Sequence, residues 1–157
     1  MQQKLPTRGP VFWGPGPQPS IRIRFREFGP IREANPDRID FDPDSLPLQW
    51  SPTEGLAWSR ELPGYGQSSP VIWGDKVFVT SVDGDQKERL HVLCCSLQSG
   101  EILWDHVTES TNPEPASVYI SRAAPTPVVD ARGVYAYFEG GDVVAITPAG
   151  EQLWHRS

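Results

Sequence analysis

Residues 68–104 read SSPVIWGDKVFVTSVDGDQKERLHVLCCSLQSGEILW and decide the fold. Short apolar runs alternate with turn residues, and the stretch closes on Trp104. The pair Asp83-Gly84 accepts the positive φ angles that tight hairpins require. The pattern predicts four antiparallel strands at about residues 70–73, 76–80, 89–97 and 101–104.

A shorter copy of this stretch follows towards the end of the chain. Pro127 in APTPVV aligns with Pro70 in SSPV, and the GEQLW that ends at Trp154 aligns with the GEILW that ends at Trp104. The prolines are 57 residues apart and the tryptophans 50, so the second copy is shorter. These four residues mark a structural repeat.

The shortening falls in a turn. Residues 140–142, GGD, stand where the first copy has the longer connection 82–89. Loops vary in length while strands keep theirs, as a repeat requires. We predict a first unit at about residues 66–107 and a second at about 122–157.

Composition favours strands over helices. The 157 residues include 17 Pro and 14 Gly, which disfavour long helices. The formal net charge of -6 lies in residues 57–157, because basic and acidic side chains cancel in residues 1–56. An acidic repeat region repels phosphate backbones and argues against nucleic acid as a partner.

Four strands in roughly 40 to 50 residues, closed by an aromatic residue, are typical of a propeller blade. A four-stranded sheet has two faces to bury and cannot bury them alone, so blades stack. Each closing tryptophan can bury about 150 to 250 Å² between blades. The sequence predicts an all-β partial propeller of about two antiparallel four-stranded blades.

Ser-Pro-Val, Gly-Asp-x-Val-Phe-Val and Ser-Gly-Glu-x-x-Trp follow one another in residues 68–104 and in part again in 124–154. This order resembles the repeat of pyrroloquinoline-quinone-type β-propellers. That superfamily includes quinoprotein dehydrogenases, the propeller lipoprotein of the outer-membrane β-barrel assembly machine, and repeat proteins of planctomycete-like bacteria. The resemblance covers about residues 55–157.

The resemblance implies six to eight blades, of which this chain supplies two and an extra strand at about residues 55–62. Trp58 in that strand is then the plug of a blade that is missing here, and the chain is expected to be a fragment of a larger propeller. Uncovered blade faces are an association hazard, so we expect self-association.

Residues 1–52 hold ten of the 17 prolines and are predicted to form an irregular arm ahead of the repeat region 53–157. Within the arm, residues 21–26 alternate apolar and basic side chains, IRIRFR. This period of two predicts a strand. Two interpretations stay open, a charge-protected edge strand and a basic strip for an anionic surface.

Cys94 and Cys95 are adjacent and can form neither a disulfide framework nor a zinc cluster. In quinoprotein dehydrogenases that the chain resembles, adjacent cysteines near the propeller axis can hold the quinone. Here the pair lies on a predicted strand, where successive side chains face opposite ways. We expect one buried and one half-exposed thiol, and no bound quinone.

No catalytic or metal site is predicted. Asp83, Asp85 and Glu88 lack the further acids of a calcium loop and suit a solvated hairpin. His91, His106 and His155 lie far apart, without a ligand at metal spacing, and are expected at the surface or half buried. Known nucleophile and phosphate motifs are missing from the sequence, and Ser68, Ser69 and Ser121 are expected to bond strand-edge amides.

The connection from Thr108 to Arg122 is the candidate binding loop, because it is longer than a link between blades needs. It carries Tyr119 and Arg122, and these side chain types dominate interface energies. A linker packed along the first blade is the alternative.

We therefore expect a non-catalytic binding or scaffold module, with a protein partner that the sequence does not identify. The alternative is a fragment of a quinone-dependent dehydrogenase. No apolar run reaches the roughly 18 residues of a membrane span, and the beginning carries no apolar leader as written. The resemblance implies a periplasmic or exported protein, which leaves the localisation open.

Overall fold

The computed structural model describes residues 56–114 and 121–157, and the backbone of the strand Ile21–Phe25. The described residues form strands and turns without a helix. In chain order, the strands are β1 (Ile21–Phe25), β2 (Trp58–Leu62), β3 (Val71–Trp73), β4 (Lys76–Asp83), β5 (Arg89–Ser96), β6 (Ile102–Glu109), β7 (Val128–Val129), β8 (Val134–Tyr137), β9 (Val143–Ile146) and β10 (Gln152–Arg156).

The strands form two four-stranded antiparallel sheets and a two-stranded ribbon. Strands β3 to β6 pair in sequence order as blade one, and β7 to β10 pair in the same way as blade two. The ribbon is β1 with β2, where Phe25 lies opposite Trp58. The predicted all-β fold with two blades, an extra strand at 55–62 and a strand at 21–26 is confirmed.

The inner strands of blade one are covered on both faces, and their burial pattern shows it. The inner residues of β4 and β5 are buried without alternation, whereas β6 alternates half-buried and exposed side chains because it is the outermost strand. β4 continues to Asp83 and β6 to Glu109, so both strands are longer than the sequence predicted.

The larger core lies between the blades. Phe78, at the centre of β4, and Phe138, after β8, are among its largest fully buried side chains. The other buried members are Val82, Leu90, Val92, Cys94, Ala123, Val134, Ala136, Val144 and Ile146. Trp104 packs against this core with its ring centroid 5.9 Å from that of Phe78.

The second core lies on the other face of blade one. Trp58 and Leu62 of β2 pack there on Val77, Val79, Leu93 and Cys95. Residues of β2 between these two, Ser59, Arg60 and Glu61, are exposed. The ribbon therefore occupies the place of the outer strands of a preceding blade.

The arm boundaries predicted at 1–52 fall mostly outside the described residues and stay a prediction, as does the basic-strip interpretation of residues 21–26. Within the described part of the chain, no helix has the length and apolar character to cross a membrane.

Candidate functional site

The blade junctions repeat one contact, a tryptophan on a glycine turn. Gly100 has a φ of 68° and Gly150 a φ of 95°, a region that only glycine adopts readily. A Cβ atom at Gly100 would collide with the Trp58 ring, and one at Gly150 with the Trp104 ring. Each turn therefore leaves a side-chain-free seat for the tryptophan of the preceding unit.

The indole nitrogen completes the same contact at both junctions. Trp58 Nε1 donates to the carbonyl of Leu97 at 2.7 Å, and Trp104 Nε1 donates to the carbonyl of Pro148 at 3.2 Å. Both acceptors belong to the turn that holds the glycine. The predicted role of the closing tryptophans as plugs between units is thus visible in the geometry of Trp58 and Trp104.

Trp154 occupies the same position in blade two, and the described residues provide no glycine turn beyond it. Its side chain is 37% exposed and lies on Tyr135 with ring centroids 6.4 Å apart. A one-residue bulge precedes both Trp104 and Trp154 in the outermost strands. Trp154 is therefore oriented like Trp104 to pack on a neighbouring unit, but no described residue covers it.

The open surface around Trp154 is called the distal face. The register brings Val128, Tyr135, Ala145 and Trp154 into one row across the sheet, and Tyr137 and Val143 into the next. Val128 is 65% exposed and Tyr137 47%. The distal face is thus an apolar and aromatic sheet surface, and large exposed patches of this kind mark interaction sites.

A polar junction accompanies the apolar one. Asp142 is fully buried and accepts hydrogen bonds from Ser110 Oγ at 3.0 Å, Thr111 Oγ1 at 2.8 Å and the Thr111 amide at 3.2 Å. His155 Nε2 lies 2.8 Å from Asp142 Oδ1, the oxygen that also accepts from Thr111 Oγ1. Burial opposes ionisation, but the donors from Thr111, His155 and Ser110 outweigh it and lower the pKa of Asp142. The ionised carboxylate ties the end of blade one to blade two.

Blade one carries a histidine between two carboxylates. The His91 ring is 5% exposed, with Nε2 3.0 Å from Asp83 Oδ1 and Nδ1 3.0 Å from Asp105 Oδ1. Arg89 binds Asp83 through both Nε, at 2.6 Å, and Nη2, at 2.7 Å. We call His91, Asp83 and Asp105 the histidine clamp.

The two blades carry a histidine and an aspartate at equivalent positions, but the two residue types have changed places. Leu93 pairs with Asp105 in blade one, and Val144 pairs with His155 in blade two. The partner sits two residues earlier on the inner strand in both blades, as His91 in one and Asp142 in the other. A histidine–aspartate pair therefore recurs on the face that each blade turns to the preceding unit.

The histidine–aspartate pairs were not predicted from the sequence, which led us to expect all three histidines at the surface or half buried. His91 is in fact buried, because the ribbon and the turn after it cover this face of blade one. His155 and His106 are half buried, as expected. Only the cross-strand register brings His91 to Asp105, 14 positions along the chain.

Arg122 of the candidate binding loop lies inside the molecule. Its side chain donates from Nη1 to the carbonyl of Asn112 at 2.8 Å, and Nη2 lies 3.7 Å from Glu114. The residue is buried and has a φ of 63°. Arg122 thus fixes the shape of the described part of the loop, whereas Tyr119 lies outside the described residues. Binding by this loop stays a prediction.

Ser68 and Ser121 accept hydrogen bonds from the backbone amides of Thr80 and Ala123, as expected. Asp83 of the hairpin is engaged by Arg89 and His91. Among the described residues, no three histidine, cysteine, aspartate or glutamate side chains are grouped to hold a metal ion.

The adjacent cysteines lie on opposite faces of β5. β5 directs Cys94 into the core between the blades and Cys95 into the core under the ribbon. Both are fully buried free thiols, so the expectation of one half-exposed thiol is wrong. The reason is that the ribbon covers the second face of blade one.

We expect both thiols to be unreactive in the folded protein. Burial raises the pKa of Cys94 to about 12 and also raises the pKa of Cys95. Relative to a free thiol, the reactive thiolate of Cys94 is then depleted on the order of 10³-fold near pH 8. Labelling with a colorimetric disulfide reagent should be slow in buffer and should reach two thiols per chain in denaturant. A thiol that is labelled within minutes in buffer would contradict the two-core arrangement.

Two four-stranded blades with tryptophans seated on glycine turns define a propeller-type module. The family of PQQ-type repeats described as outer membrane protein assembly factor BamB matches residues 48–157. The chain belongs to this family. No curated protein matches it at a significant level.

Proposed function

We propose that this chain is a non-catalytic binding or scaffold module that acts through the distal face of blade two. The observation that carries the proposal is the unequal coverage of the sheets. The inner strands β4 and β5 of blade one are buried in cores on both faces, whereas the distal face of blade two exposes Trp154, Tyr137 and Val128. Covering a polar surface would bring no such gain. Covering the apolar distal face is favourable by about 25 cal/mol of free energy for each Å² of apolar area that a partner removes from water.

We propose a second copy of the chain as the occupant. The distal face is apolar and Arg156, in register with Val143, is the charge on its rows. Two such faces can pack against each other, as in the interior of a β-sandwich. The other end of the described stack exposes the polar residues Ser59, Arg60 and Glu61 of β2.

Light scattering coupled to size exclusion tests the proposal over a range of concentrations. We expect the wild-type mass to rise towards two chains, and the double variant Trp154→Ser, Tyr137→Ser to stay at one. Leu103→Ser is the matched control, because Leu103 is 47% exposed but lies on blade one, away from the distal face. A wild-type chain that stays monomeric, or a double variant that still pairs, would refute the role of this surface.

The non-catalytic part of the proposal has its own test. The arrangement of Cys94 and Cys95 on opposite faces of β5 supports a module without a quinone. We expect the absorbance of the purified protein to return to baseline after incubation with the quinone and Ca²⁺ followed by desalting. Stoichiometric retention of the quinone would favour the dehydrogenase interpretation instead.

A further inference from the structure

We propose that the histidine clamp is a proton-held latch. With a proton on both ring nitrogens, His91 ties the β4–β5 hairpin, through Asp83, to β6, through Asp105. Loss of one proton opens one side of the clamp on the face of blade one that carries the ribbon. The latch is independent of the distal face and goes beyond the proposed binding function.

The geometry favours a doubly protonated ring. A neutral imidazole has one N–H donor, and its other nitrogen only accepts. Both His91 nitrogens lie about 3 Å from carboxylate oxygens, which also only accept when ionised. The bidentate contact from Arg89 keeps Asp83 ionised, since hydrogen bonds from the guanidinium lower the pKa of that carboxyl. The proton therefore belongs on the ring.

The two carboxylates are the charged groups that act on the ring. Burial alone would lower the pKa of His91, but the hydrogen bonds and charges of Asp105 and Asp83 outweigh it and raise the pKa. Arg89 acts on the opposite side of Asp83. The structure therefore sets a proton-binding group at the centre of blade one.

Glu109 of β6 lies in register with Arg89 on this face, and the ribbon carries further charged residues. Arg60 of β2 donates from Nε to the carbonyl of Gly100 at 2.8 Å, and Glu61 is exposed. In β1, Arg22 and Arg24 lie in register with Glu61 and Ser59. Arg60 and Glu61 are not among the causes of the raised pKa of His91.

The latch lies beside the turn through which the ribbon enters blade one. Tyr65 follows this turn and exchanges backbone hydrogen bonds of 2.7 and 2.8 Å with Val82. At Gly64, a Cβ atom would meet the backbone of Val82 and the Cβ of Asp83. A shift of Asp83 on opening of the clamp would thus be transmitted to this entry point, and through it to the ribbon.

The sign of the pH dependence follows from the raised pKa. Below the pKa that His91 has in the unfolded chain, about 6.5, protonated His91 stabilises the fold fully. This stabilisation is lost as the pH rises through the higher pKa that His91 has in the folded protein. For each unit between the two values, the unfolding equilibrium constant is tenfold smaller at low pH than at high pH.

Two measurements test the latch. Denaturant unfolding between pH 5 and 9 should show this loss for the wild type and for H106Q, whose native ring contacts Thr108 Oγ1 and Gln152 Oε1 and no carboxylate. H91Q should show no loss up to about pH 7.5, whereas above that pH ionisation of the two buried thiols in the unfolded state lowers the stability of all three proteins alike. On the wild type, nitrogen NMR should report N–H on both His91 nitrogens above pH 6.5. A neutral His91 at that pH, or an unchanged slope in H91Q, would overturn the proposal.

Discussion

Replacing Asp142 by alanine is expected to lower the free energy of unfolding by about 2 to 4 kcal/mol, because several hydrogen bonds to one buried carboxylate are lost together. The carboxylate is fully buried at the junction of the blades and has donors on three residues, Ser110, Thr111 and His155. Alanine leaves these donors without their acceptor, and because Ser110 and His155 are half buried and Thr111 is exposed, the cost of each lost hydrogen bond lies towards the low end of about 1 to 3 kcal/mol.

The expected loss has an acid counterpart in the wild type. The pKa of Asp142 is lower in the folded protein than in the unfolded chain. Its contribution to folding stability is therefore present above the unfolded pKa of about 3.9 and is lost as the pH falls through the folded pKa. D142A should therefore lose less stability on acidification than the wild type does.

Urea unfolding at pH 7 and pH 3 measures both effects. Asp75→Ala is the matched control, because the Asp75 side chain is 87% exposed and its pair with Lys76 lies in solvent, where such pairs contribute little. If D142A had the same unfolding midpoint in urea as D75A, the hydrogen bonds to Asp142 would not contribute to folding stability.

Trp58→Ala is the second large effect, expected to cost about 3 to 5 kcal/mol. Trp58 is 8% exposed and fills the core between the ribbon and blade one. Its loss also removes the hydrogen bond to Leu97 and empties the seat over Gly100. Hydrogen exchange should show β2 and the facing residues of blade one opening first.

Trp154→Ala supplies the control at the equivalent position. The side chain is of the same type and follows the same bulge, but it is 37% exposed and packs on Tyr135 alone among the described aromatic rings. Its removal at low protein concentration should cost much less than that of Trp58. Equal losses for the two variants would contradict the difference in coverage.

The blade strands could be predicted because their apolar residues recur between clear turns. Asp83-Gly84 and Gly100 mark the ends of β4 and β5, and both glycines have positive φ. The prediction stopped β6 at Trp104 because the residues that follow, DHVTE, look polar. They continue the strand to Glu109, since β5 runs back to Arg89 and provides the backbone partners.

The polar junctions could not be predicted in the same way. His91 and Asp105 face each other only after the bulge between Cys94 and Cys95 sets the register. A shift of one residue would send Asp105 to the opposite face. Nothing in the local sequence specifies this bulge, so the histidine clamp emerges from pairing and not from a motif.

The burial of both cysteines was missed for a related reason. Alternation along β5 correctly gives Cys94 and Cys95 opposite faces, but it does not say whether each face is covered. The cover comes from β2, whose packing on blade one is a tertiary contact.

The described stack has unlike ends, and this limits how copies can accumulate. Head-to-tail addition, in which the distal face of one copy meets the β2 end of the next, would have no natural stopping point and would give fibres. The exposed Ser59, Arg60 and Glu61 make that joint unfavourable, since apolar side chains would be pressed against hydrated polar groups. Pairing through the two distal faces would bury the apolar surface of both copies, so association would stop at the dimer.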